Sequence, residues 1–278
     1  MKKGISICAF RDQNDLGRCM ALAREAGFEG IELAYALDGP IGPDTTDDDL
    51  DAVVRLAQSA GIELCSLATG VFWRYNLASD DEQERKMAKD HVRTGLRLAG
   101  ALGADTFLVV PGFTGPFQAG PPVVQDYEAA YTRALEGLRE LGPVAEWTGV
   151  TIGVENVWNK FLDSPIEMRD FLDRVGHPFV QSYFDVGNVL RTGYPQHWIR
   201  VLGTRIKKVH FKDYRTGVGT LAGFVELLSG DVDYPAVMAA LRDVGYDGWC
   251  TAEISPRQLW PESVLSATSQ AMDMIFAG

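Results

Sequence analysis

The chain has 278 residues, 46% of them hydrophobic, with a net charge of −12 and a pI near 4.8. A balance this acidic disfavours a nucleic-acid partner, because duplex binding depends on Lys and Arg neutralising the backbone, and leaves room only for a local basic mouth that holds one phosphate. Apolar runs are strand-sized, short of the ~20 residues a membrane helix needs, and MKKGISICAF enters a strand pattern without a cleavage signature, so no membrane partner is expected and a cytoplasmic soluble protein is.

Strand and helix signals alternate from end to end. A strand-like run at 5–10 (ISICAF) is followed by a helical stretch at 15–26, and GIELA at 30–34 by a helix over 47–60. IELCSLA at 62–68 precedes a helix at 81–102, and TFLVVPG at 106–112 one at 124–148. TIGVENV at 151–157 leads to a helix at 164–175, VQSYFDVGN at 180–188 to 195–203, IKKVHFKD at 206–213 to 233–244, and WCTAEI at 249–254 to 262–276. Cap signals support the helix starts, such as Ser164 before Pro165 and Asp233 and Tyr234 before Pro235, and Gly27, Gly61 and Gly103 mark helix ends. Eight strand-helix units of about 35 residues each predict a single-domain α/β fold over 1–278, a (β/α)8 TIM barrel, with a doubly wound open sheet as the other arrangement of such units. The most loop-like stretches are 38–46, 111–123 and 214–232. Cys8, Cys19, Cys65 and Cys250 show no paired spacing and read as reduced apolar fillers.

The last four strand-like runs each carry one candidate metal ligand near the end: Glu155, Asp185, His210 and Glu253. Each has the parity opposite to its apolar neighbours, Ile152 and Val154, Phe184, Val209 and Phe211, Ala252 and Ile254. Side chains alternate faces along a strand, so the apolar set can pack outward on helices while the four ligating groups point to a common interior. Three carboxylates and an imidazole suit one divalent ion, manganese, magnesium, cobalt or zinc. Taken singly, each residue also fits a structural role, a glutamate paired to a lysine or a histidine satisfied in the core.

GVENVWNKF, YFDVGN, KKVHFKD and TAEIS resemble the corresponding motifs of the sugar phosphate isomerase/epimerase group of xylose-isomerase-like barrels, with the nearest similarity to ketose 3-epimerases, including the L-xylulose 5-phosphate 3-epimerase type. The resemblance implies that Glu155, Asp185, His210 and Glu253 are the metal ligands and that Glu155 and Glu253 are the acid/base pair. Enzymes of that group acting on free ketoses carry a histidine three residues after the aspartate. Asn188 stands there in this chain, more like the phosphate-sugar branch.

The expected chemistry is proton transfer next to a ketose carbonyl through an enediolate stabilised by the ion. Return of the proton to the opposite face gives an epimerase, and return to the adjacent carbon an aldose–ketose isomerase. An inosose-type dehydratase begins with the same abstraction and stays open. An endonuclease IV-like nuclease would need more than 4 histidines and a basic face, and a non-catalytic sugar-binding barrel would not need the whole ligand set. The partner is a small-molecule sugar or sugar phosphate, and a homo-oligomer, dimer or tetramer, is left open.

Lys212 shares the parity of His210 and is expected at the mouth, contacting substrate or bridging to Glu253 or Asp185. Arg215, Arg257, Arg191 and Lys160 follow strand ends and are candidate phosphate clamps. Phe10, Phe72, Trp73, Tyr75 and Trp158 are candidate pocket walls, whereas His91, His177 and His197 are assigned no chemistry.

Overall fold

The computed structural model describes residues 1–115 and 124–278; the end of the loop-like stretch 111–123 lies outside the described residues. Eight parallel strands close into a barrel: β1 (Lys2–Ser6), β2 (Gly30–Tyr35), β3 (Glu63–Thr69), β4 (Thr106–Val109), β5 (Thr151–Glu155), β6 (Val180–Asp185), β7 (Ile206–Phe211) and β10 (Trp249–Ala252). A two-stranded antiparallel ribbon, β8 (Asp213–Tyr214) with β9 (Phe224–Val225), stands between β7 and β10 in sequence. Around the barrel run α1 (Leu16–Glu25), α2 (Asp47–Ala60), α3 (Glu82–Ala101), α4 (Tyr127–Thr148), α5 (Pro165–Val175), α6 (Pro195–Leu202), α7 (Tyr234–Asp243) and α8 (Ser263–Ala277). The open-sheet alternative is excluded, since β1 pairs with both β2 and β10.

Local chemistry explains the starts and stops. Thr46 and Asp49 form a reciprocal capping box on α2, Ser164 accepts from Glu167 N at the head of α5, and Gly61 ends α2 with φ 66°. Such caps satisfy backbone groups the helix leaves unpaired. The first strand lies earlier than the apolar run suggested. Ser6 Oγ accepts from Cys8 N and turns Ile7–Ala9 into a 3₁₀ turn, so Ile7, Ala9 and Phe10 are buried without extending the ladder.

Apolar faces of the strands pack on the helices, with Ile152, Val154, Phe184, Val209, Phe211 and Ala252 all buried in one continuous core. Glycines make room for large side chains inside the barrel. A Cβ on Gly30 would stand 2.6 Å from the Trp249 ring, and one on Gly153 would stand 2.9 Å from Tyr183 Cδ2. The cysteines are free, and among the described residues no helix is long and apolar enough to cross a membrane.

The expected loop 214–232 is a pinned structure. Asp213 accepts from the backbone N–H groups of Tyr214, Gly230 and Val232, which holds both ends of the β8–β9 ribbon over the mouth of the barrel. Gly230 allows this approach, because a Cβ there would lie 2.2 Å from Asp213 Oδ1.

Candidate metal centre

Glu155 and Asp185 end β5 and β6, His210 is one residue short of the end of β7, and Glu253 follows β10. Glu253 N still donates to Phe211 O at 3.0 Å, so the ladder fixes its position although the strand has ended. The four side chains converge, each offering one ligand atom within 4.8 Å of the others. Asp185 and His210 are at most 2% exposed and Glu155 is 6% exposed. The Glu253 side chain, 30% exposed, is the most open to the pocket.

His210 Nδ1 faces this group, 3.4 Å from Glu155 Oε1, 3.2 Å from Glu253 Oε2 and 3.9 Å from Asp185 Oδ2. Lys212, two residues on and on the same face, reaches 2.7 Å from Glu253 Oε2 and 3.2 Å from Asp185 Oδ2. The Asp185 main chain is clamped by Asn156, whose side chain donates to Asp185 O and accepts from Asp185 N. Asp185 Oδ1 accepts from Asn188 N at 2.7 Å, whereas Oδ2, buried in the cluster, has no hydrogen bond.

The residues fit a divalent cation. Three carboxylates and an imidazole nitrogen form a hard-to-borderline donor set, and Asp185 Oδ2, buried without a hydrogen bond and faced by the Lys212 ammonium at 3.2 Å, is an acceptor with room for a cation.

The surroundings push the glutamates apart. Burial raises the Glu155 carboxyl to about 7, and the Glu253 charge adds to this against the pull of His210. Burial also acts to raise Glu253, but Lys212 and His210 outweigh it and hold that carboxyl well below its usual range. Burial raises Asp185 despite Lys212. For His210 burial disfavours the charged ring, yet Glu32 and the two cluster glutamates prevail and raise it well above its usual value.

Above the cluster opens a cavity of about 970 Å³ whose wall includes Trp73, Trp158, Asn188, Lys212, Arg215 and Arg257. Trp158 donates Nε1 to Asn188 O and packs against Tyr214 and Phe224 of the ribbon, and Trp73 stacks on Phe113. Asn188 Nδ2 donates to Asn156 O, so this side chain braces the rim beneath the pocket. Arg257 is held in a bidentate pair with Glu226, and Arg215 donates Nε to Ser229 O.

Other expected residues lie elsewhere. Phe10 joins the core, Phe72 packs its ring on Phe107, and Tyr75 lies against His91. Lys160 and Arg191 line a separate cavity of about 120 Å³ on the other side of Trp158.

Sequence reasoning passed over Glu32, Ser66, Tyr183 and Asn156. Glu32 lies between buried Ile31 and Leu33, the same alternation that marked the four ligands, and Tyr183 is two residues before Asp185 on the interior face.

Comparison with known proteins gives these features a family. A protein of Escherichia coli strain K12 provisionally named L-ribulose-5-phosphate 3-epimerase SgbU is 25% identical over 245 residues, 82% of this chain and 80% of its own length. Fructoselysine 3-epimerase of Escherichia coli O157:H7 is 23% identical over 270 residues, covering 91% of this chain and 90% of the relative. Among solved structures, D-psicose 3-epimerase from Clostridium cellulolyticum H10, determined with D-tagatose, superposes with a TM-score of 0.82 at 20% identity, over 99% of this chain and 98% of that one. The pattern of one family matches residues 20–273, so the chain belongs to the xylose isomerase-like TIM barrel family.

Proposed function

We propose that this protein is a sugar epimerase or isomerase that moves a proton next to the carbonyl of a ketose or ketose phosphate, with one divalent ion held by Glu155, Asp185, His210 and Glu253. The observation that carries the reading is the pairing of Glu155 with Glu253 at one cluster. Strands β6 and β7 stand between β5 and β10 in the barrel, so the two carboxyls reach the cluster from different sides.

When bound, the ion supplies positive charge that lowers the barrier to forming an enediolate. The chain's residues do the rest. One glutamate takes the α-proton from one face of the sugar, and the other delivers a proton to the opposite face, which inverts the carbon. The reverse reaction exchanges their roles, so each must be able both to accept and to release a proton. If one glutamate does both jobs and returns the proton to the adjacent carbon, the product is an aldose. The relatives named for 3-epimerisation favour inversion.

Lys212 is placed to contact a substrate oxygen without leaving its carboxylate partners, and Trp73 and Trp158 wall the pocket against water. Asn188 sets the rim on which the sugar rests. Arg215 and Arg257 are the candidate contacts for a phosphate or other distal group, with Arg257 needing to loosen its pair with Glu226 to take one.

The test is to incubate the protein, loaded with manganese(II) or magnesium(II), with a panel of ketoses and ketose phosphates in deuterium oxide and follow the sugar by NMR. Exchange at C3 with appearance of a new epimer supports epimerisation, exchange at C1 or C2 supports isomerisation, and loss of water would point to a dehydratase. Absence of exchange with the whole panel would overturn the reading.

A further inference from the structure

Below the cluster, on the side of His210 away from the other three donors, lies a fourth carboxylate that none of the expected roles uses. Glu32, on β2, is fully buried. Its Oε1 stands 3.0 Å from His210 Nε2 and its Oε2 3.2 Å. Glu32 Oε2 also accepts from Ser66 Oγ at 2.8 Å and from Tyr183 Oη at 2.5 Å. The tyrosine reaches across the barrel from β6 because Gly153 leaves space beside its ring.

A neutral imidazole has one N–H and one lone pair, and a carboxylate can only accept. Where a cation takes the place of the proton on Nδ1, a carboxylate against Nε2 therefore keeps the remaining N–H on Nε2 and leaves the Nδ1 lone pair directed at the cluster. Tyr183 and Ser66 both present hydroxyls to Glu32, which fixes the carboxylate in turn.

Resting on the metal reading above, we infer that Glu32 is a positioning residue, which orients His210 and sets its tautomer so that Nδ1 is offered to the cation held with Glu155, Asp185 and Glu253, while Tyr183 and Ser66 hold Glu32 in place. In this role Glu32 is outside the donor group and acts through His210. Its effect is on how well the chain binds the ion.

A Glu32→Gln side chain keeps the size but removes the charge. If its amide oxygen accepts from His210, its NH2 meets two hydroxyls that now donate to a carboxylate. If it flips, the NH2 meets Nε2 and favours the tautomer whose Nδ1 is protonated.

The experiment measures manganese(II) binding by titration calorimetry to chelator-treated wild type, Glu32→Gln and Tyr183→Phe, together with the rise in melting temperature that a fixed manganese(II) concentration produces. Glu32→Gln is expected to weaken binding about 10- to 100-fold, and Tyr183→Phe to weaken it less. The manganese-induced rise should shrink in the same order. A purely structural role would lower the melting temperatures with and without manganese together, leaving the rise and the affinity at wild-type values, and that result overturns the inference. If Glu32→Gln does not fold, wild-type affinity in Tyr183→Phe overturns it instead. A wild-type protein that binds no manganese(II), cobalt(II) or zinc(II) brings down the metal reading itself, whereas binding by wild type with no change in the variants removes only the role of Glu32.

Discussion

Lys212 Nζ lies 2.7 Å from Glu253 Oε2 and 3.2 Å from Asp185 Oδ2, so this ammonium group points at two of the four donors that would hold the ion. A single charge 4 Å from another is worth about 4 kcal/mol at an effective dielectric of 20. Lys212 therefore stabilises the two carboxylates and opposes a cation at the same place.

Replacing Lys212 with Met should tighten divalent-ion binding, by roughly tenfold or ~1.4 kcal/mol after solvent screening, while slowing turnover because the sugar loses a contact. Calorimetry with manganese(II) and steady-state kinetics at saturating metal separate the two effects. Weaker ion binding in Lys212→Met would show instead that the lysine's main service is to hold the carboxylates in position.

Glu155→Gln and Glu253→Gln should each lower epimerisation by about 10²- to 10⁴-fold, the range for loss of a positioned proton carrier. The informative readout is asymmetric. At excess manganese(II), each variant should retain deuterium wash-in for one epimer and lose it for the other, since each keeps the glutamate facing one side of the sugar. Equal loss of exchange from both epimers in both variants would indicate that the glutamates act only through the ion.

The four proposed ligands were legible in the sequence because each stands alone among apolar neighbours on its own strand, and parity needs only one strand to be read. Glu32 obeyed the same parity, but its meaning depends on His210, which is 178 residues away in sequence and becomes its neighbour only when the barrel closes. The partners of the arginines were hidden for a related reason. Arg257 reads as a free rim cation until the ribbon brings Glu226 to it. The aromatic run Phe72, Trp73, Tyr75 was ambiguous because a 3₁₀ turn over Val71–Trp73 sends Phe72 into the core and Trp73 to the pocket. Helix spans were read to within a few residues, since caps and glycines act locally, whereas the strand ends were overextended where the apolar run outlasts the ladder.

At the end of the barrel away from the cluster, Asp105 pairs with Lys207 and with buried Lys208, each at 2.8 Å. Burial acts to raise the Asp105 carboxyl, but Lys208 and then Lys207 outweigh it and bring it down to about 2. A folded-state value below the unfolded one means that the pair stabilises the fold above about pH 4 and loses that contribution as pH falls from there towards 2. Asp105→Asn should therefore melt below wild type near neutral pH, with the gap closing on acidification through that window. A gap that stays constant down to pH 2 would mean the carboxylate's charge is not what matters. The effect should be modest, because the Asp105 side chain is 51% exposed and solvent screens it.

Gly153 joins the packing of the barrel to its chemistry. A Cβ at this position would lie 2.9 Å from Tyr183 Cδ2 and 3.0 Å from Thr106 Cγ2, both on interior-facing side chains of neighbouring strands. Neither neighbour can yield cheaply, since Tyr183 is fully buried and tied to Glu32, and Thr106 is fully buried as well. Gly153→Ala should then destabilise the protein by about 1–3 kcal/mol, seen as a melting temperature lower by several degrees. The same displacement of the Tyr183 ring should loosen its hydrogen bond to Glu32, so manganese(II) affinity should fall along with stability. Thr106→Ser, which removes the methyl group that meets one side of the added Cβ, should restore part of the stability of Gly153→Ala but little of its metal affinity. Recovery of both together would place the clash with Thr106 rather than Tyr183 at the origin of the defect.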